Sequence, residues 1–584
     1  MFNNYDIVEM PLSLKRNRTM VEDFLAKSEL RLDDMDYYAA VVDRDNFEML
    51  AGGGFKDDII KCIAVDDSLR GTGMSQQLIS HLMSQMNAQG YNSAKVFTKP
   101  GNIDIFESLG FKTLGDSSKA ILLENGLDGL STYVNYLKSL KRDGKKGFIV
   151  MNANPFTLGH QYLVEQAASK VDNLYVIVVG EDKSQFTSDE RLAMVTAGCA
   201  HLKNVTVCHG SSYIISAATF PSYFIKQASD AALAQIELDL DITARHIAPA
   251  LGATVRFVGS EPNDELTLAY NNAMHNMLPS RGIEVVELPR LEKEGNYISA
   301  STVREMLIDG NLPEAKELVP NTTLPYLVVW IAVNALKQEL DLTPKPGLVD
   351  THDNGAHSDM CYEIMLKSIN ALRPYFARLA VISYSDNLPE ASLLQNMGID
   401  AEKDMLAATR GVNTHRGALF SMGLAVVAAC HTMAMRSNDF LKNWSKTIEC
   451  IAGQLPGSNN SHGNSAKIQH NVAGALDLAR TGYGEVASKW LSYYHDNCGD
   501  EHVKLKTLLY IMCSLDDTNV IHRAGYEMAQ QVKQEAAHLL ENFSIESLEQ
   551  MNQSFITRNI SPGGAADMLS LTLFLSALNI NENK

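Results

Sequence analysis

Apolar and polar positions change rhythm twice along this chain. Up to about residue 130, short apolar runs such as Tyr37-Tyr38-Ala39-Ala40-Val41-Val42 and Ile59-Ile60-Lys61-Cys62-Ile63-Ala64-Val65 read as strands. Gln76 to Met86 repeats its apolar residues at helical spacing, so this region predicts an α/β fold. A charged, glycine-containing stretch from Lys138 to Lys146 reads as a linker. The pattern restarts at Gly147-Phe148-Ile149-Val150-Met151 with a strand, an Asn-Pro loop and a helix from His160 to Lys170. Leu174 to Val179, Thr254 to Gly259 and Ile283 to Leu288 read as further strands. Strands alternating with helices imply a parallel sheet whose ligand lies at the strands' carboxyl ends. Beyond about Pro320, long Ala/Leu/Met-rich segments replace strands and predict an all-helical half, with Gly and Pro gathered in loops. Three regions are therefore expected: residues 1–137, 147–320 and 325–584.

Length agrees, because 584 residues at about 150 per domain predict roughly three or four domains. A formal charge of −19 argues against a sequence-independent grip on nucleic acid, which needs Lys and Arg to neutralise phosphates. The eight cysteines lack zinc-like spacing and read as reduced thiols. Asp6 and Glu9 stand where a signal peptide needs an apolar core, and the longest apolar stretch read from the sequence, Tyr326 to Leu336, is too short to span a bilayer. A cytoplasmic chain with no membrane partner is the expectation.

Arg70-Gly71-Thr72-Gly73-Met74-Ser75 lies between an apolar strand and a helix. Glycines there let backbone N–H groups approach a pyrophosphate, and the helix start favours its charge. With Ser75 in its last position, the segment resembles the R-x-x-G-x-G/A motif of the GNAT acyltransferase family, and Asn102 to Phe111 resembles that family's later helix and turn. Arg70, Gly71, Gly73 and Ser75 are candidates for holding a coenzyme-A-like arm; an ordinary glycine-rich turn is the alternative. No general base stands out, so the GNAT-like domain can bind such an arm without acetylating an amine.

The second region carries Asn154-Pro155-Phe156-Thr157-Leu158-Gly159-His160 and, later, Ile298-Ser299-Ala300-Ser301-Thr302-Val303-Arg304. Attack on the α-phosphorus of ATP builds charge on phosphoryl oxygens, so the protein must position and stabilise it. His160 at a helix start can donate an imidazole N–H, Gly159 leaves room for the nucleotide and Thr157 offers a hydroxyl. Ser299, Ser301 and Thr302 crowd hydroxyls at a second helix start, with Arg304 available to the outer phosphates. The two segments resemble the (H/T)-x-G-H nucleotidylyltransferase superfamily, implying a Rossmann-like α/β domain. Phe186 to Arg191 is similar to another element of that group, which implies Arg191 near the nucleotide.

Asn152 to His160, Gly259-Ser260-Glu261-Pro262, Tyr270-Asn271 and Leu288-Pro289-Arg290, with the GNAT-like front end, resemble citrate lyase ligase over roughly residues 1 to 320. The resemblance implies Asn154 at the ATP site, activation of acetate as acetyl-AMP, and transfer of the acetyl group to the prosthetic-group thiol of the citrate lyase acyl carrier protein.

In the helical half, Thr343 to Met360, Gly411 to Gly417 and Asp516 to Arg523 are dense in Asp and Asn, hard ligands suited to Mg²⁺, and in Lys, Arg and His, which can meet a triphosphate. Each alone could be a solvated loop. Together with Pro562-Gly563-Gly564-Ala565-Ala566-Asp567 they resemble the triphosphoribosyl-dephospho-coenzyme A synthase family over about residues 325 to 580. The resemblance implies that ATP is joined to dephospho-CoA through a ribose hydroxyl with displacement of adenine. It makes Asp350, Asp359 and Asp517 candidates for proton acceptance and Mg²⁺ binding, and Lys345, His357, Asn413, His415, Arg416, Asn519 and Arg523 candidates for a second ATP site. ATP and Mg²⁺ enter as substrate and metal, and no tightly bound prosthetic group is expected.

The chain departs from that family at Arg416, where Lys is usual, and at Asn464, Leu476 and Leu478, where Glu, Arg and Glu are expected. Those departures point to altered or lost activity. The competing reading is a coenzyme or dinucleotide adenylyltransferase fused to an acetyltransferase, its helical half a non-catalytic module that docks a carrier protein.

Overall fold

In the computed structural model, strands Tyr5–Glu9 (β1), Tyr37–Asp43 (β2), Met49–Lys56 (β3), Ile59–Val65 (β4), Ser93–Thr98 (β5), Lys112–Asp116 (β6) and Ile121–Gly126 (β7) make one sheet in the order β1-β2-β3-β4-β5-β7-β6. The structure describes residues 5–69, 71–127, 129–180, 184–215, 220–225, 227–261, 264–457, 470 and 472–578. Along β2, Ala39 and Val41 face one layer while Tyr38, Ala40 and Val42 face the other, so the unbroken apolar run reflects burial on both faces. The Met74–Ala88 helix buries Leu78, Ile79 and Leu82 on the first face, and the Lys15–Lys27 helix buries Val21, Phe24 and Leu25 on the second. Among the described residues of this sheet, only β4 and β5 pair in parallel, registered at Ile59↔Lys95 and Ile60↔Val96; the Met74–Ala88 helix is the crossover such a pair requires.

A second sheet contains Lys146–Met151 (β8), Asn173–Val178 (β9), Val205–His209 (β10), Val255–Gly259 (β11) and Glu284–Leu288 (β12), all parallel, in the order β10-β9-β8-β11-β12. The chain moves outward from β8 to β10, then returns to β11 on the other side, so β8 lies at a topological switch point. The stretch read as a linker is shorter than expected. Leu130–Ser139 is a helix whose Leu130, Tyr133 and Leu137 belong to the same core as Phe97 and Leu122 of the first sheet and Phe148 and Tyr175 of the second. Phe97 and Phe220 meet edge to face at 5.7 Å in that core.

Both sheets fall in one compact unit, which runs to Asn154 and resumes over Gly159–Ile298; Pro155–Leu158 and the chain from Ser299 onward form the other. After Asn296–Tyr297 the described residues contain helices and no further strand. Arg416–Ala434 is long and apolar enough to cross a membrane, which the reading of Tyr326 to Leu336 as the longest apolar stretch overlooked; 78% of its most apolar window is buried, as in a core helix. Trp444 packs there and donates its indole N–H to the Ala425 carbonyl at 3.1 Å. All eight cysteines are free.

Candidate active sites

Gly71 and Gly73 have φ of +76° and +82°, a backbone region that a side chain disfavours, and added β-carbons would meet nothing within 4 Å. Gly73 opens the Met74–Ala88 helix with no side-chain cap, so the N–H groups of the first turn are left to a ligand or solvent. Ser75 is half-buried in that turn, and Arg70 lies outside the described residues.

In the second sheet, the loop after β8 leaves the carboxyl end of the switch-point strand. Ala153 there is buried with φ of +49°. Asn154 is buried too, and its side-chain oxygen accepts the Phe186 N–H at 3.2 Å. Gly159 and His160 lie in the first turn of the Leu158–Ala168 helix. Burial, and then the Arg290 guanidinium, push the His160 imidazole down to about 4. At neutral pH it is an uncharged N–H donor, and positive charge comes instead from Arg290, whose partner is the Glu261 carboxylate. Glu261 and Arg290 were not singled out from the sequence, although both stand in the quoted Gly259–Pro262 and Leu288–Arg290 segments. Asn271 donates to the Gly259 carbonyl at 3.0 Å and so braces β11, and Tyr270 is bound to buried Asp239 on the Ala228–Ile242 helix.

Arg191 takes a supporting place. It is fully buried, its Nη1 donates to the Asn152 carbonyl (3.0 Å), the Asn152 side chain (2.7 Å) and the Val179 carbonyl (2.7 Å), and its Nε donates to Phe186 (3.1 Å). These bonds hold the loop after β8 from behind.

In the second unit, Thr157 is buried and the neighbouring Phe156 carbonyl accepts the Thr323 hydroxyl at 3.0 Å. Ser299 caps the Ala300–Ile308 helix, accepting the Ser301 N–H at 3.1 Å, and the two serine hydroxyls lie 2.5 Å apart. Thr302 and Arg304 are half-buried on the same helix, and burial lowers the affinity of Arg304 for its proton.

The helical half redistributes the remaining candidates. Asp350 is buried and accepts four hydrogen bonds: the Thr343 hydroxyl (2.9 Å) and the N–H groups of Lys345 (3.0 Å), His352 (2.7 Å) and Asp353 (3.0 Å). A carboxylate offers about four acceptor positions, so these four bonds organise the loop around Asp350. Asp517 caps Thr518–Ala524, holding the N–H groups of Asn519 (2.9 Å), Val520 (3.4 Å) and Ala565 (2.9 Å); burial nonetheless raises its pKa. Asp359 is exposed, 3.9 Å from His357. Among the described residues, no group of three His, Cys, Asp or Glu side chains is arranged to hold a metal.

His357 joins Ser561 (2.8 Å) and Arg523 (3.4 Å), and burial, then Arg523, lower its pKa. His415 is buried, with Nδ1 on the Ser368 hydroxyl at 2.8 Å and Nε2 without a partner; burial, then the Lys345 ammonium, push it down to about 4. Lys345 is itself buried against Glu339. Arg416 instead forms an exposed pair with Glu402 at 3.0 Å, and Asn413 and Asn519 are exposed. Two acids missed by sequence reasoning complete the group: Glu339, and Asp567, whose pKa burial, Glu339 and Asp517 push well up. Asp567 could have been found from its place in the Pro562–Asp567 segment. Of the departures, Leu476 is half-buried, Leu478 lines a cavity of about 450 Å³ with Tyr483, Trp490 and Met568, and Asn464 lies outside the described residues.

Residues 146–327 match the citrate lyase ligase C-terminal domain, and residues 327–584 match the ATP:dephospho-CoA triphosphoribosyl transferase family. A [Citrate [pro-3S]-lyase] ligase of Haemophilus influenzae is 41% identical over 320 residues, 54% of this chain and 96% of that protein. A "Probable 2-(5''-triphosphoribosyl)-3'-dephosphocoenzyme-A synthase" of Streptococcus mutans is 36% identical over 281 residues, 43% of this chain and 95% of that protein. Among solved structures, a pantothenate synthetase from Thermus thermophilus aligns at 17% identity and a TM-score of 0.22, covering 35% of this chain and 73% of that one. The family matches replace the coenzyme or dinucleotide adenylyltransferase reading. The chain is an enzyme that belongs to the citrate lyase ligase family and, through its helical half, to the triphosphoribosyl-dephospho-CoA synthase family.

Proposed function

We propose that the chain carries out two steps of citrate lyase maturation. In the first, an acetate oxygen attacks the α-phosphorus of ATP, the bond to pyrophosphate breaks and acetyl-AMP forms. The prosthetic-group thiol of the citrate lyase acyl carrier protein then takes the acetyl group and releases AMP. The observation that carries this reading is the His160 loop leaving the carboxyl end of β8 at a topological switch point, where α/β sheets bind nucleotides. Neutral His160 donates an N–H to phosphate oxygens, and Arg290 adds positive charge. Gly71 and Gly73 shape the turn that receives the thiol arm.

In the second step, ATP and dephospho-CoA give 2'-(5''-triphosphoribosyl)-3'-dephospho-CoA and adenine in the helical half. His357, His415 and Arg523 are its substrate-facing groups. Both steps are tested by mass spectrometry after incubation with ATP, Mg²⁺, acetate, acyl carrier protein and dephospho-CoA. Acetylated carrier with pyrophosphate, and adenine with the triphosphoribosyl product, are expected. Absence of acetate-dependent pyrophosphate sinks the first assignment. Carrier binding by the helical half without adenine release replaces the second with a docking role.

A further inference from the structure

Three carboxyl groups influence one another in the helical half, and two have evident partners. Glu339 holds the Lys345 ammonium at 2.6 Å, and Asp517 holds backbone N–H groups, including that of Ala565. The third, Asp567, stands near the start of the Gly563–Leu578 helix, and no hydrogen bond or ion pair joins it to any described residue. Its carboxyl tip fills the space a side chain at position 417 would need: a β-carbon on Gly417 would fall 2.0 Å from Asp567 Oδ2.

A second observation points to a ligand here. Tyr483 is 2% exposed, its hydroxyl has no hydrogen-bond partner, and the Asp567 carboxyl lies within its electrostatic reach. The same tyrosine walls the cavity of about 450 Å³ together with Leu478, Val486, Trp490 and Met568, the residue after Asp567. That volume falls within the roughly 300–1,000 Å³ of small-molecule pockets, and its aromatic and aliphatic walls suit a planar base.

Resting on the synthase reading above, we propose that Asp567 is the proton donor to departing adenine, with the Tyr483 cavity receiving the base. Breaking the C1′–N bond of ATP sends its electron pair to adenine, which leaves as a neutral molecule only if a nitrogen gains a proton. The Asp567 carboxyl supplies that proton. The ribose hydroxyl oxygen of dephospho-CoA closes the new bond to C1′, its proton passes to solvent, and solvent returns one to Asp567. Desolvation and the nearby Glu339 and Asp517 carboxyls shift this half-buried carboxyl toward its protonated form.

The test compares ATP with N7-methyl-ATP, whose base already carries a positive charge and leaves without protonation. Asp567→Asn lowers adenine release from ATP by about 100-fold. On N7-methyl-ATP the same variant stays within about fivefold of the unaltered enzyme, because general-acid help is no longer needed. Gly417→Ala, which pushes the carboxyl aside while keeping it, shows the same selective loss and covers the case in which Asp567→Asn fails to fold. Equal losses on both substrates in folded protein, or no loss on ATP, overturn the assignment. If the unaltered enzyme releases neither adenine from ATP nor 7-methyladenine from N7-methyl-ATP, the synthase reading itself falls.

Discussion

Lys345 donates its ammonium both to the Glu339 carboxylate at 2.6 Å and to the same residue's carbonyl at 2.7 Å, with 1% of the lysine exposed. Its charge is thus committed to closing the turn after the Leu324–Asp341 helix. Removing one partner of a buried ion pair costs about 3–5 kcal/mol, because the other stays buried and charged. Lys345→Met is expected to lower the denaturant midpoint accordingly, and adding Glu339→Gln to recover a good part of the loss. Additive losses in the double variant would show that the pair is not coupled.

His160→Ala is expected to abolish most acetate-dependent pyrophosphate formation, by about 10²–10³-fold, the scale of removing one donor to a developing phosphoryl charge. Adenine release should be unchanged, since its proposed groups lie in the helical half. Parallel assays of the two products on one preparation decide this; coupled loss in a folded variant contradicts it.

Acid sensitivity should report His415. Its folded pKa of about 4 lies below the ordinary 6.5, so its contribution to stability is present above pH 6.5 and is lost as pH falls toward 4. The loss is on the order of 3 kcal/mol at about 1.4 kcal/mol per pH unit. Denaturant melts between pH 7 and pH 4.5 should show a slope that His415→Gln flattens. His160 adds a slope of the same sign, so its imidazole NMR signal should not titrate near 6.5.

Gly73→Ala is expected to cost about 1–2 kcal/mol, because φ of +82° strains any residue with a β-carbon. Open space around it means no clash adds to that figure. If the turn receives the thiol arm, the Michaelis constant for the carrier protein rises while pyrophosphate formation from acetate alone is kept. Kinetics with each acceptor separate the two effects.

The strands were legible where apolar residues run unbroken, as in Tyr38–Val42 and Leu174–Val178, because burial on both faces leaves no polar position to interrupt them. Strand β10 escaped notice: Val205–His209 is short and mixes Thr and His with its valines. The charges of Lys138, Lys141 and Arg142 masked the helical spacing of Leu130, Tyr133 and Leu137 just before them. At the candidate sites, the place of His160 at a helix start was readable from its local motif. The backbone N–H groups held by Asp350 and Asp517 were not legible, because composition counts acids without showing which oxygens the backbone fills. Asp567 and Glu339 escaped for the opposite reason, since their mutual influence joins positions more than two hundred residues apart.

Thr323, whose hydroxyl holds the Phe156 carbonyl, immediately precedes the Leu324–Asp341 helix. The two family matches meet at residue 327, inside the first turn of that helix, where Leu324 to Trp330 are all buried. Proteases and natural chain breaks favour exposed, weakly bonded backbone, and this junction offers none. Gene fission there would split a helix rather than separate two cassettes, and a cut just upstream would take Thr323 away from the loop it steadies. The boundary between the two family matches is thus a packed helix, and a break there would expose core residues on both sides of the cut.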